Sequence, residues 1–371
     1  MTELINLSVE LDERFASDAS ARERVERAGY ALEVGPDASD RVLAWIDACF
    51  GGAWSSEVAV ACAAVATREG TPAGFAAFDA RVDYAWLRGA AREHGVGLFG
   101  PFGVDPRERG GVLGPSLLQI ALTQLRGRGY RRALIGAANE ELVPYYAREA
   151  GAQVVERYDP RSFTPRPVRT VALASGSGTN LQAVIDAVAG GLPLELAALV
   201  TNKPEAFACE RARGAGIGVM ALPWQRASQT RAEYDAALRL AVAEYEPELV
   251  LLLGWMHLLD RAFLASFPQI LNVHPAYLPL DPAREFVGMP DGCVIPVFRG
   301  AHAIRDAFAA GSPWTGASVH QVTIETDRGR VFTRKPLPIE AGEGEAALLA
   351  RLHPIEHALL VSAIRRWLYE R

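Results

Sequence analysis

The chain has 371 residues, 50% of them apolar and 22% charged, with a formal net charge of -6. That length predicts two domains, and the composition predicts an ordinary globular protein rather than a disordered or fibrous one. The negative balance argues against a general nucleic-acid binder. Met1 to Arg14 mixes acids with apolar residues and lacks a basic segment followed by an apolar run, so it does not read as a secretory signal. No uninterrupted apolar stretch reaches the ~18 residues of a membrane span. Cys49, Cys62, Cys209 and Cys293 are scattered, without the paired spacing of a zinc site or a disulfide framework. They read as buried thiols of a cytoplasmic protein.

In the first half, Gly97 to Leu118 runs Val104-Asp-Pro106, then Arg109-Gly110, then Gly114 before an apolar stretch. This segment resembles the acyl-CoA segment of GNAT-type acetyltransferases, and Asn139 with Tyr145 to Gly151 resembles that fold's last helix. The resemblance implies an α+β domain over residues 1–157. It places Val104, Arg109, Gly110 and Gly114 at an acyl-CoA pyrophosphate, with acetyl-CoA as the ligand. Val112 stands where a central glycine is expected, and Pro115 removes an N–H from the helix start. The competing reading is a degenerate acyltransferase fold serving dimerisation or regulation.

Residues 158–168 carry three prolines and no hydrophobic period, which predicts a linker. Beyond it, strand-like runs at Thr170–Ala174, Leu194–Val200, Glu248–Gly254 and Ile270–His274 alternate with helical patterns. In Thr230–Tyr245 the residues Tyr234, Leu238, Ala241, Val242 and Tyr245 recur at helical spacing. Leu249 to Leu253 is apolar without alternation, as suits a strand covered on both faces. Residues 169–371 are therefore expected to form an open, mainly parallel α/β sheet with ligands at the carboxyl ends of its strands.

Two such ends carry chemistry. Ser175-Gly-Ser-Gly-Thr-Asn180 leads from a strand into a helix, so the N–H groups of Gly178, Thr179 and Asn180 can meet an anion. Neither a P-loop lysine nor a third dinucleotide-binding glycine is present, which favours a single phosphomonoester. At the second end Asn272 and His274 share one strand face, followed by Pro275. An amide beside an imidazole there suits polarisation of a carbonyl; a satisfied polar pair is the plainer alternative.

With Thr201-Asn-Lys203, Arg231, Gly254-Trp-Met256, Gly316-Ala-Ser-Val-His320, Asp327-Arg-Gly329 and Ile355-Glu-His-Ala358, these segments resemble, in order, the folate-dependent phosphoribosylglycinamide formyltransferases. The resemblance covers nearly all of residues 169–371. It implies formyl transfer from 10-formyltetrahydrofolate to the amine of glycinamide ribonucleotide, without a metal or a covalent enzyme intermediate. It assigns catalysis to Asn272, a partly protonated His274 and Asp327. Gly178, Thr179 and Asn180 fall at the phosphate, Arg231 at the ribonucleotide, Glu356 at the ribose hydroxyls, and Trp255, Met256, His257, Leu258 and Leu259 at the folate. Glu356 also reads as the start of a helix after Pro354, where an acid is favourable regardless.

Three departures stand out. His257 replaces an arginine, and Ile304 replaces one of two histidines, His302 being the other. An insert of residues 280–297 contains Pro290-Asp-Gly292 between apolar runs, which predicts a hairpin and, by its place in the chain, a lid over the folate. Partners are expected to be small molecules, with no nucleic acid and no membrane, and a homodimer is compatible with the sequence. Alternatives are formylation of an amino sugar nucleotide or another amine, a bifunctional formyl- and acetyltransferase, and a non-catalytic sensor.

Overall fold

The computed structural model describes residues 3–36, 38–79, 95–159 and 166–370. The chain divides into two compact units: Met1–Phe163 with Gly288–Cys293 and Tyr369–Arg371, and Thr164–Val287 with Val294–Leu368. Most of the expected linker, residues 160–165, lies outside the described residues; its last residue, Val168, opens a strand.

In the first unit the described elements are β1 (Leu4–Glu10), α1 (Ala19–Arg27), β2 (Ala31–Gly35), α2 (Asp40–Phe50), α3 (Gly52–Val58), β3 (Cys62–Arg68), β4 (Thr71–Phe78), β5 (Val96–Val104), α4 (Leu113–Gly127), β6 (Arg132–Ala138), α5 (Val143–Ala150) and β7 (Gln153–Tyr158). The strands form one sheet in the order β2-β3-β4-β5-β6-β1-β7. Neighbours are antiparallel except β5 and β6, which pair in parallel from Val96↔Arg132 to Phe99↔Ile135. Helix α4 buries Leu113, Leu117, Leu118, Ala121 and Leu125 against this sheet, an i, i+4 stripe that closes the core.

The second unit alternates strand and helix: β8 (Val168–Leu173), α6 (Thr179–Ala189), β9 (Leu194–Thr201), α7 (Phe207–Gly214), β10 (Gly218–Ala221), α8 (Arg231–Ala243), β11 (Leu249–Leu252), α9 (Arg261–Ser266) and β12 (Ile270–His274). A short ribbon, β13 (Phe286–Gly288) with β14 (Val294–Pro296), precedes α10 (Ala303–Ala309), β15 (Trp314–Gln321), β16 (Val331–Pro338) and α11 (Glu345–Glu370). The sheet runs β10-β9-β8-β11-β12-β15-β16, parallel through β12 and antiparallel beyond. Alternation along the strands feeds two cores. Leu251, Leu271 and Val273 pack with α6, α7 and α11, while Val250, Leu252 and Ile270 pack with Tyr234, Leu238 and Val242 of α8. All of β11 is buried, which explains its unbroken apolar run.

Several expectations change. Helix α11 begins at Glu345 and runs through Pro354, so Glu356 lies inside a helix rather than at its start. Flanking packing by Leu352, Leu359 and Leu360 carries the helix past the hydrogen bond that proline forfeits. By length and composition Glu345–Leu368 could cross a membrane, but one side of it fills the core through Leu348, Leu352, Leu360 and Ile364. Of the cysteines only Cys209 is buried; Cys49 is exposed and the other two are half-buried. Ile304 belongs to the core and His302 stands exposed before α10.

Candidate functional site

A cleft of about 490 Å³ opens at the carboxyl ends of β8, β11 and β12, within the usual size range of small-molecule sites. Every residue expected at the ribonucleotide, the folate or the chemistry lines it, except Arg231. Arg231 is instead held by Asp235 (2.8 and 2.9 Å) and donates to the Leu258 carbonyl. The i, i+4 acid claims its charge on the surface of α8.

At one end, Gly178 has φ +71° and precedes α6 without any side-chain cap, so the first N–H groups of that helix are open. A Cβ on Gly178 would stand 2.7 Å from the Ala208 Cα, so the turn tolerates only glycine. Arg211 donates to the Ser177 carbonyl at 2.9 Å and braces the loop. Asn180 Nδ2 donates to Glu356 Oε2 at 3.2 Å, and burial pushes the Glu356 carboxyl up to about 7. Ser175 Oγ and Asn180 Oδ1 are buried without a hydrogen-bond partner, polar atoms of the kind that a ligand satisfies.

At the centre, antiparallel register sets Asn272 directly opposite His320 and His274 opposite Ser318. Asn272 Nδ2 lies 3.1 Å from His320 Nε2. His274 Nε2 lies 2.8 Å from the Phe298 carbonyl, so this nitrogen carries hydrogen, while Nδ1 faces Asp327 Oδ2 at 3.5 Å. Asp327 also reaches His320 Nε2 at 3.3 Å and accepts the Gly300 N–H at 2.6 Å. Burial lowers His274 below the ordinary imidazole value, the Asp327 charge opposing this. Burial pushes Asp327 up, but His320, the charge of His274 and the Gly300 N–H together hold it well below the usual carboxylate range.

The other end is apolar. Met256 and Leu258 are exposed at the rim, and His257 packs among Trp224, Tyr234 and Trp255 with ring centroids 5.5–5.8 Å away. Its Nε2 meets Asn202 Nδ2 at 2.8 Å. Burial lowers the His257 pKa, with Arg231 and Arg226 adding to it. Trp255 Nε1 and His257 Nδ1 are buried without partners. None of the lining residues comes from 280–297, so the insert does form a ribbon but does not wall the cleft.

His320 was visible in sequence only as part of a motif, without a role. Its place opposite Asn272 depends on antiparallel register, which no local pattern displays. The Phe298 carbonyl and Gly300 N–H are backbone groups and leave no side-chain signal. In the first unit, Arg109 Nε donates to the Val104 carbonyl at 3.1 Å, Gly110 has φ +81°, and α4 starts without a side-chain cap.

An amide, an imidazole and an ionised carboxylate facing an anion loop across one cleft define a group-transfer site for a phosphate-bearing substrate. The family model "Formyl transferase" matches residues 168–287 and 291–364, more than half of the sequence, and the chain belongs to that family. The "Acetyltransferase (GNAT) family" model matches residues 28–152. Phosphoribosylglycinamide formyltransferase of Mycobacterium tuberculosis is 35% identical over 199 residues, covering 53% of this chain and 84% of that protein. The enzyme of that name from Escherichia coli is 37% identical over 191 residues, covering 51% and 82%. The crystal structure of glycinamide ribonucleotide transformylase 1 from Symbiobacterium toebii has a TM-score of 0.48 and 33% identity, covering 54% of this chain and 88% of that one.

Proposed function

We propose that this chain transfers formyl from 10-formyltetrahydrofolate to the amine of glycinamide ribonucleotide. The observation that carries the reading is the meeting of Asn272, His274 and Asp327 with the Gly178–Asn180 loop and Glu356 in one cleft. The helix start at Gly178–Asn180 takes the phosphate and Glu356 the ribose hydroxyls. The backbone of Gly254–Leu259, with the unpartnered Trp255 and His257 nitrogens, holds the folate, which supplies the formyl carbon. As the amine forms its bond to that carbon, Asn272 donates a hydrogen bond to the developing oxyanion. His274 accepts the proton that the amine loses, and Asp327, 3.5 Å from its Nδ1, stabilises the resulting imidazolium. The proton passes to the departing folate nitrogen as its bond to the formyl carbon breaks.

Turnover followed by the absorbance change on release of the folate product tests this. Asn272→Ala should lower kcat by about 10²–10³, the usual loss for one oxyanion donor. Asp327→Ala should also abolish most turnover, and wild-type rates in both variants would overturn the assignment.

For residues 28–152 we propose acyl-CoA binding at the start of α4, with the pyrophosphate on N–H groups between Gly110 and Gly114. Pro115 leaves that donor set one short, and Arg109 is engaged by Val104. Calorimetry of the full chain with acetyl-CoA should show a single weak site; absence of heat would sink the proposal.

A further inference from the structure

The base of the insert makes contacts that the reaction above leaves unused. Phe298, whose carbonyl binds His274, precedes Arg299; Gly300, whose N–H binds Asp327, follows it; Asp327 itself precedes Arg328. Both arginines converge on Glu285 of the insert. Arg299 Nη1 donates to Glu285 Oε2 at 2.6 Å, and Arg328 Nη2 donates to Oε1. Both also reach the Pro282 carbonyl, Arg328 at 2.6 Å and Arg299 at 3.4 Å, and Arg299 donates to the Arg284 carbonyl at 2.8 Å. The Val297 N–H closes the base by donating to the Glu285 carbonyl at 2.9 Å.

We propose that Glu285 is a positioning residue. By clasping Arg299 and Arg328 it fixes the Phe298 carbonyl, the Gly300 N–H and Asp327, the groups that orient and polarise His274. Glu285 does not line the cleft, and its side chain is 56% exposed, so its ion pairs contribute little to global stability. Their effect is geometric. One carboxylate shared by two guanidinium groups sets their separation, and removing it leaves two like charges side by side. Asp327 sits at φ +53°, in the left-handed region that few non-glycine residues adopt, aspartate among those that do. Arg299, with a side chain 12% exposed, is embedded firmly enough to transmit the restraint.

The kinetic part of this inference rests on the proposed formyl transfer; the structural part does not. The test compares the full chain with its Glu285→Ala and Glu285→Gln variants. Formyl transfer is measured across pH, together with hydrogen exchange at the Gly300 amide. Glu285→Ala should lose about 10- to 100-fold in kcat, as expected for sub-ångström misplacement of catalytic groups, with both Michaelis constants held. Its Gly300 amide should exchange at least ~10-fold faster. Glu285→Gln retains one acceptor and should fall between, and it carries the test if the alanine variant melts early. Wild-type kcat in the alanine variant, or a lost kcat with wild-type exchange at Gly300, would overturn the positioning role. A wild-type chain inactive in formyl transfer would instead remove the proposed reaction, and the exchange measurement would still report on the clasp.

Discussion

Glu356 is 6% exposed and accepts a single hydrogen bond, from Asn180. A carboxyl lifted from 4.5 to about 7 binds its proton more tightly folded than unfolded. Its effect on stability therefore runs against the usual acidic case: full stability below pH 4.5, with about 3 kcal/mol lost as pH rises toward 7. Glu356→Gln should raise the melting temperature at pH 8 and change it little at pH 4.5. The same group is useful to a ribose only when ionised. The Michaelis constant for glycinamide ribonucleotide should thus fall as pH rises through about 7 in the wild type and stay flat in Glu356→Gln. At His274 burial moves the titration below the ordinary imidazole value, so the acidic limb of kcat should lie below pH 6.5. A kcat that instead falls as pH rises through the His274 titration would mean that the imidazolium, not the neutral ring, enters the reaction.

Among the elements, α6 and α8 decide whether the cleft keeps its shape. Gly178→Ala puts a side chain on a left-handed residue and into Ala208; the backbone alone costs about 1–2 kcal/mol. Calorimetric melting should show at least that loss, and ribonucleotide binding should weaken with it. Leu238→Ala on the buried stripe of α8 should lower unfolding free energy by roughly 2–5 kcal/mol while leaving kcat near wild type. Elements of this kind were legible in sequence because burial writes itself into periodicity: the unbroken run of β11 and the spacing of Tyr234, Leu238 and Val242 follow directly from two-sided packing. The glycine loop was legible because its conformation excludes other residues. The pairing of Asn272 with His320 was not, since register between distant strands leaves no local trace. Arg231 pairs with Asp235, four residues on, and stands outside the cleft lining, a placement that its motif alone does not display. The hairpin at Pro290-Asp-Gly292 was readable, but its work was not. That work lies with Glu285, an ordinary-looking surface acid until Arg299 and Arg328 fold around it.

Over the whole molecule, two family resemblances sit on one chain in separate compact units. The formyltransferase part holds an anion loop, an apolar wall and the Asn272, His274 and Asp327 cluster in a single cleft, and each is needed for the proposed reaction. The anion loop is held at Gly178 by its backbone conformation and at Asn180 by its hydrogen bond to Glu356. At the apolar end of the cleft His257 packs among aromatics, and the insert stands outside the lining, joined by Glu285 to Arg299 and Arg328. The most direct measurement uses the full chain, a formyl donor labelled with heavy carbon, and mass detection of the products. It should find the label on glycinamide ribonucleotide, none on an amino sugar nucleotide offered beside it, and none on either with Asn272→Ala. Label on the sugar amine in preference, or on neither amine with the wild-type chain, would contradict the assignment.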